Sequence, residues 1–262
     1  MESAGLAIGA VALVSLFKDC IDLYSIISAA RELDEDASIL NIKLGVEKML
    51  LLQWSDRVGL LDPAKFDTTF ADIATRETIL SILSSIKTLL SNAQALQDTY
   101  GLIKHFSLTV SPASESTPTE QFNEASENRL SRFLGEFNKF KVKHSGESIQ
   151  LSRIHKAAKQ FRWVVVHKDK FDGLINHLSY FNGALNSLAP RVSNSTFDLS
   201  SEDLSYVDSI SQLDGIIQIS VKQHPAIAKV AMAAKRNLIQ HRILLRLSFA
   251  RQDDQKDNIN NR

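Results

Sequence analysis

The 262-residue chain is predicted to be all-α: a single multi-helix bundle of about seven to nine helices, headed by a long apolar N-terminal helix. Three observations predict this class. Apolar residues recur three and four positions apart through most of the chain, the spacing that lines one face of a helix. The five prolines fall in or beside the stretches that lack this spacing. Strand-like alternation is scarce, and Val164–Val166 is too brief to outweigh its helical surroundings. Hydrophobic residues make up 44% and charged residues 23%, too apolar for wholesale disorder.

The first element is the most unusual. Ser3 to Phe17 is 15 residues without a charge. Leu6, Ile8, Gly9, Val11, Leu13, Val14 and Leu16 dominate it. Lys18, Asp19 and Asp22 then interrupt, but Ile21, Leu23, Ile26 and Ile27 prolong the apolar character. A spanning helix needs about 20 apolar residues, so the charge-free run alone is short for a standard anchor. A helix over 4–30 has the length, with its three charges toward one end, where an interface or a partner must satisfy them.

Asp34, Glu35 and Asp36 break the pattern before a helix over 37–58, whose face includes Leu40, Leu44, Leu51 and Trp54. Residues 59–69, with Pro63, read as a loop. A helix over 71–106 follows, with Ile79, Leu83, Ile86, Leu90, Ala93, Leu96 and Tyr100 at helical spacing. Residues 107–128, rich in Ser, Thr, Pro and Glu, are expected to be an internal mobile or regulatory loop. Helices are expected over 129–143, carrying Phe133, Phe137 and Phe140, and over 148–189. The latter holds the stripe Phe171, Leu174, Leu178, Phe181, Leu185 and Leu188 and stops at Pro190. Ser200 or Ser201 caps a helix over 202–222, with Glu202 and Asp203 at its positive end. Pro225 opens a last helix to about residue 250, with Ile227, Ala231, Ala234, Leu238, Leu245 and Phe249 on one face. Residues 1–250 thus form one domain, and 251–262 a charged tail or linker.

Thirty basic and thirty acidic residues give zero net charge, so overall charge offers no argument for a nucleic-acid binder. Locally the charge is uneven. Residues 129–177 hold 11 Lys or Arg against four acids, 222–251 hold seven basic residues and no acid, and 195–219 carry five acids and no Lys or Arg. Mutually compensating solvated helix faces explain this most simply. A basic surface for anionic lipid is the sharper alternative.

No phosphate loop, dinucleotide fingerprint, nucleophile elbow or HExxH motif occurs, and the histidines are not grouped as metal ligands. An enzyme, a cofactor, a metal site and a small-molecule substrate are therefore not expected. Cys20 is the single cysteine, so no intrachain disulfide can form, and it reads as a buried structural thiol. Asn194–Thr196 spells a glycosylation sequon, but no secretory signal is recognisable, and a reducing intracellular setting is expected. Trp54 and Trp163 read as packing anchors within helices, each wanting a partner for its indole N–H if buried. Asp169 and Asp172, three apart, read as surface ion-pairing groups.

The pattern Gly5-Leu6, Leu13, Leu16-Phe17, Cys20, Ile21-Asp22 and Tyr24 resembles the N-terminus of the fungal HeLo domain. That is the globular domain of prion-controlled heterokaryon-incompatibility proteins. Leu51-Leu52-Gln53-Trp54 is similar to the family's tryptophan at the end of a leucine-rich helix. Trp163, Lys168, Lys170-Phe171, Leu174, Leu178, Phe181, Leu185 and Leu188 extend the resemblance over roughly residues 5–190. Cys20, Trp54, Trp163, Phe171, Leu178 and Phe181 are its family-like packing residues.

The resemblance implies an all-helical cell-death execution domain, similar also to the four-helix killer domain of necroptosis effectors. In the family a C-terminal amyloid-forming segment releases the N-terminal helix, which enters and permeabilises the membrane. Carried over, Leu6–Ile27 is the membrane-inserting segment, and Lys18, Asp19 and Asp22 mark its interfacial or pore-facing end. The resemblance further implies a homodimer or higher oligomer, a HeLo-family protein partner, and a cytoplasmic resting state that meets anionic lipid on activation. Ser91 is a departure: it stands where the family can place an acid before Ser-Ala-Gln. Residues 251–262 are too short and charged for prion-forming repeats. An amyloid segment is thus expected outside this chain, or amyloid control is not used. The alternative function is a soluble regulatory or scaffold domain that keeps the fold without permeabilising activity.

Overall fold

The computed structural model describes residues 2–28, 37–62, 65–66, 70–106, 129–140, 142, 161–189, 204, 207 and 210–260. The acidic break at Asp34–Asp36, the loop 107–128, the first part of the expected helix 148–189, the sequon and the start of the expected helix at 202 lie outside them. The chain forms α1 (Glu2–Ser28), α2 (Ala37–Arg57), α3 (Ile73–Ser91), α4 (Ala93–Asp98), β1 (Leu102–Phe106), α5 (129–140), β2 (Phe161–Val165), α6 (Lys168–Leu188), α7 (Ile210–Gln223) and α8 (Pro225–Asn260). The fold is all-α, with one small two-stranded ribbon.

Helix α2 organises the interior, because both of its faces are buried. Leu40, Leu44, Leu51, Leu52 and Trp54 join a large core with α1, α3, α5 and α6. Ile42, Val46, Met49 and Leu50 instead form a second core with Leu204, Val207, Leu213 and Ile216 and with Ile227 and Ala231 of α8. A helix buried on two sides reads as apolar nearly all round, which explains why its single expected stripe covered only one of its contacts.

The helix expected over 71–106 breaks twice. Asp72 caps α3 by accepting the Thr75 N–H at 2.9 Å. Asn92 then ends α3 and starts α4 at once. Its ψ of 89° interrupts the helical path, and its side-chain oxygen accepts from the Ala95 N–H at 3.0 Å. Gly101, at φ +65°, turns the chain out of α4 into β1. A Cβ there would lie 2.6 Å from the Cβ of His167, so the position has room only for glycine. The turn places β1 antiparallel to β2, Lys104 opposite Trp163 and Leu102 opposite Val165.

Trp163 therefore sits in a strand and not in a helix, and α6 begins only at Lys168. Three consecutive valines were too few to register as a strand, because the partner strand lies some sixty residues away in sequence. Helix α6 ends at Leu188, with Ala189 extended at ψ 143°, the conformation that a following proline imposes. Helix α8 overruns its expected end near residue 250 and continues through the charged stretch to Asn260. Leu245, expected on its buried face, is exposed.

Candidate functional site

Helix α1, the element singled out by its lack of charge, is central to the large core. Leu13, Val14, Phe17, Cys20, Ile21, Tyr24 and Ile27 are all buried, at 1% exposure or less. Val11, Leu16, Leu23 and Ile26 pack partly buried against the same core. The backbone of Leu6, Ile8 and Gly9 is helical. The solvent-facing positions are small: Ala12 and Ser15 are exposed.

Aromatic rings close over this helix. Phe17 lies 5.9 Å from the Trp54 ring and 5.2 Å from that of Phe133 on α5. Phe133 in turn stacks at 6.1 Å on Phe137. Such offset and tilted contacts add to the burial of the rings themselves. The Trp54 indole N–H donates to the Leu185 carbonyl at 3.0 Å. Phe171, Leu178 and Leu185 of α6 are fully buried, and Phe181 is packed at the edge of the core. Trp163 is buried from the ribbon side. Of the residues that carried the sequence resemblance, Cys20, Trp54, Trp163, Phe171 and Leu178 share this one core, with Phe181 packed against it.

Lys18, Asp19 and Asp22 of α1 all have partners. Lys18, only 6% exposed, donates to Asp22 one turn on at 2.5 Å, and its ammonium lies 5.6 Å from the centre of the Phe137 ring. Asp19 accepts from Lys87 of α3 at 2.8 Å. That hydrogen bond, with the carboxylate's charge, raises the Lys87 pKa. Cys20 is buried and directs its thiol at the Leu83 carbonyl, 3.3 Å away. Burial above all, then the neighbouring Asp19 charge, pushes its pKa from 9.0 to about 12. A thiol so held is protonated at neutral pH and poorly nucleophilic.

A buried polar cluster, which sequence reasoning missed, joins both cores. Glu47 of α2, 2% exposed, accepts from the Asn182 amide of α6 at 2.7 Å, and His224 Nε2 lies 3.2 Å from its other oxygen. The same amide reaches the Glu47 backbone carbonyl at 2.9 Å. Tyr24 of α1 adjoins the cluster; complete burial, then the Glu47 charge, raises its pKa well above the ordinary value. Glu47 and Lys48 interrupt a leucine-rich run, and both are buried, at 2% and 1% exposure.

Asp172 pairs with Lys43 of α2, whereas Asp169 is exposed in the first turn of α6. Ser91 is the exposed last residue of α3, its hydroxyl 3.4 Å from the Thr88 carbonyl. Among the described residues no three His, Cys, Asp or Glu side chains come together as a metal site. Among the described residues, no helix is long and apolar enough to cross a membrane.

An all-helical bundle with its N-terminal helix wrapped in aromatic residues is the class of protein defined so far. The family model for HeLo, prion-inhibition and propagation, matches residues 5–216, and the chain belongs to that family. It is 24% identical over 102 residues to the heterokaryon incompatibility protein s of Podospora anserina. That match spans 39% of this chain and 35% of the relative's length. The solved HET-s N-terminal domain superposes with a TM-score of 0.59 at 16% identity, covering 87% of this chain and 98% of that domain. A doubly substituted form of the same domain superposes equally well, at 14% identity. At these identities the likeness concerns the fold.

Proposed function

We propose that this chain is a membrane-targeting, pore-forming execution domain of fungal heterokaryon incompatibility, with α1 as the segment that enters the bilayer. The observation that carries the reading is the placement of 15 uncharged residues at the head of a 27-residue helix. Such a helix is about 40 Å long, more than the hydrocarbon thickness of a bilayer. At rest its apolar side chains are covered by protein; on release they exchange that packing for lipid. Lys18, Asp19 and Asp22 then sit toward the interface, or face one another in an oligomer. A resting cytoplasmic pool, a homodimer or higher oligomer, and pairing with another HeLo-family chain belong to the same reading.

The depth at which α1 is buried favours a second reading, a regulatory or scaffold domain that never releases it. Dye-loaded vesicles distinguish the two. Ala12→Glu and Ser15→Glu place a carboxylate on the solvent face of α1, where the resting fold tolerates it and a bilayer does not. Dye release by the activated wild type, abolished in both folded variants, supports insertion. Absence of release from the wild type, even after partial unfolding in mild urea, supports the regulatory reading.

A further inference from the structure

Helix α8 outruns its partner. It has 36 residues, whereas α7, the helix it folds back on, has 14. The shared core accordingly ends with Leu238, and residues 239–246 are all exposed. At about 100° per residue, Ile227, Ala231, Ala234 and Leu238 form the face turned to α7 and α2. Met232, Ile239 and Ile243 fall together on a different face, and all three are exposed. Lys229 and Arg236 flank this apolar stripe on one side, and Lys235, Arg242 and Arg246 on the other.

We propose that this face of α8 is a docking surface for an anionic lipid bilayer. The argument is one of charge and shape together. From Lys222 to Arg251 the chain has seven basic residues and no acid, so the flanks present one sign of charge. Asp214 of α7, paired with Lys235 at 2.5 Å, is the acid in contact with this face among the described ion pairs. An apolar stripe between cationic flanks suits a helix lying in the plane of an interface, its isoleucines among the acyl chains and its long cationic stems reaching the headgroups. An anionic surface supplies the complementary charge along residues 229–246, ahead of Asp253, Asp254 and Asp257; a neutral one does not. The surface also lies beyond the family-model match, which ends at residue 216. It deepens the membrane reading: α8 holds the folded domain against the bilayer that α1 would enter.

Flotation of the full chain with vesicles tests it, using phosphatidylcholine alone and phosphatidylcholine with about 30% phosphatidylserine. The expected result is flotation on the anionic vesicles only, weakened about tenfold or more by raising NaCl to about 0.5 M. The exposed double substitutions Ile239→Ser with Ile243→Ser, and Lys229→Glu with Arg236→Glu, should each weaken it similarly. The salt and lipid dependence of the wild type needs no variant and stands if a variant misfolds. Equal flotation on both vesicles, no flotation, or folded variants that float like wild type would overturn the proposal. So would a wild-type dimer in sedimentation that the isoleucine variant dissociates, which assigns the stripe to a second copy. Dye release reports α1 separately: a chain that floats and never leaks defeats the insertion reading alone.

Discussion

Trp54 donates its indole N–H to the carbonyl oxygen of Leu185, 131 residues away in sequence. Leu185 stands in the last turn of α6, where carbonyls lose their intrahelical donors, so the indole satisfies a group that burial would otherwise strand. Trp54→Phe keeps an aromatic ring against Phe17 and removes only the donor. It should lower unfolding free energy by about 1–3 kcal/mol, read from urea denaturation. A change below the error of that measurement would mean the carbonyl finds another donor.

The Glu47–Asn182 contact predicts a larger and less additive effect. Asn182→Leu leaves a carboxylate in the interior without its amide donor, at a cost of about 3 kcal/mol. Combined with Glu47→Gln, the loss should be smaller than the two single losses added together. Equilibrium unfolding of the four proteins in a double-mutant cycle measures that coupling.

Cys20 predicts how stability responds to alkali. Its folded pKa of about 12 lies above the ordinary 9.0, so the unfolded chain gives up this proton first as pH rises. The contribution is whole below pH 9 and is lost progressively as pH climbs toward 12. Tyr24, also raised, acts in the same direction. Urea midpoints should therefore fall between pH 8 and pH 10.5, and Cys20→Ala should flatten part of that slope whatever it does to stability at neutral pH. An unchanged slope in the variant would exclude the thiol as a source.

The Asp19–Lys87 pair predicts the opposite, a small effect. Both side chains are nearly half exposed, and pairs of that kind contribute about 0.2–1 kcal/mol. Lys87→Met should shift the melting temperature slightly, and the shift should vanish in about 0.5 M NaCl. A large, salt-independent loss would show that Lys87 holds α1 by more than its charge.

Neighbouring positions on α1 should respond very differently to the same substitution. Val14 is fully buried and Ala12 exposed. Val14→Glu should unfold the domain, whereas Ala12→Glu should cost about 0.5 kcal/mol or less by urea denaturation. Comparable losses at both positions would contradict the orientation of α1 described above.

Most of the helices were legible because each presents an apolar face at 3.6-residue spacing, and the residues on those faces are the ones that pack. Phe171, Leu174, Leu178 and Leu185 are all buried as their spacing requires. What escaped depended on single residues acting locally or on partners far along the chain. Asn92 and Gly101 each broke a helix that the apolar pattern carries straight through. Trp163 became a strand residue only because β1 was there to pair with it. At the candidate site, α1 stood out by its lack of charge, but that Trp54 and Phe133 are the rings that cover it depended on tertiary packing and was not legible from spacing. Glu47, Asn182 and His224 could not be connected in advance, since nothing local brings three such residues together across two cores.

The burial of α1 has a consequence for timing. A helix held at an edge can lift away while the rest of a domain stays folded, in a local opening of low free energy. Phe17 and Ile21 have no such freedom, since the rings and leucines of α2, α3, α5 and α6 close around them. Any departure of α1 must pass through the loss of the whole large core. The spontaneous rate of α1 release would then equal the unfolding rate of the domain, and long-lived restraint of α1 becomes a kinetic property. Substitutions anywhere in that core, however distant from α1, would reset the same clock.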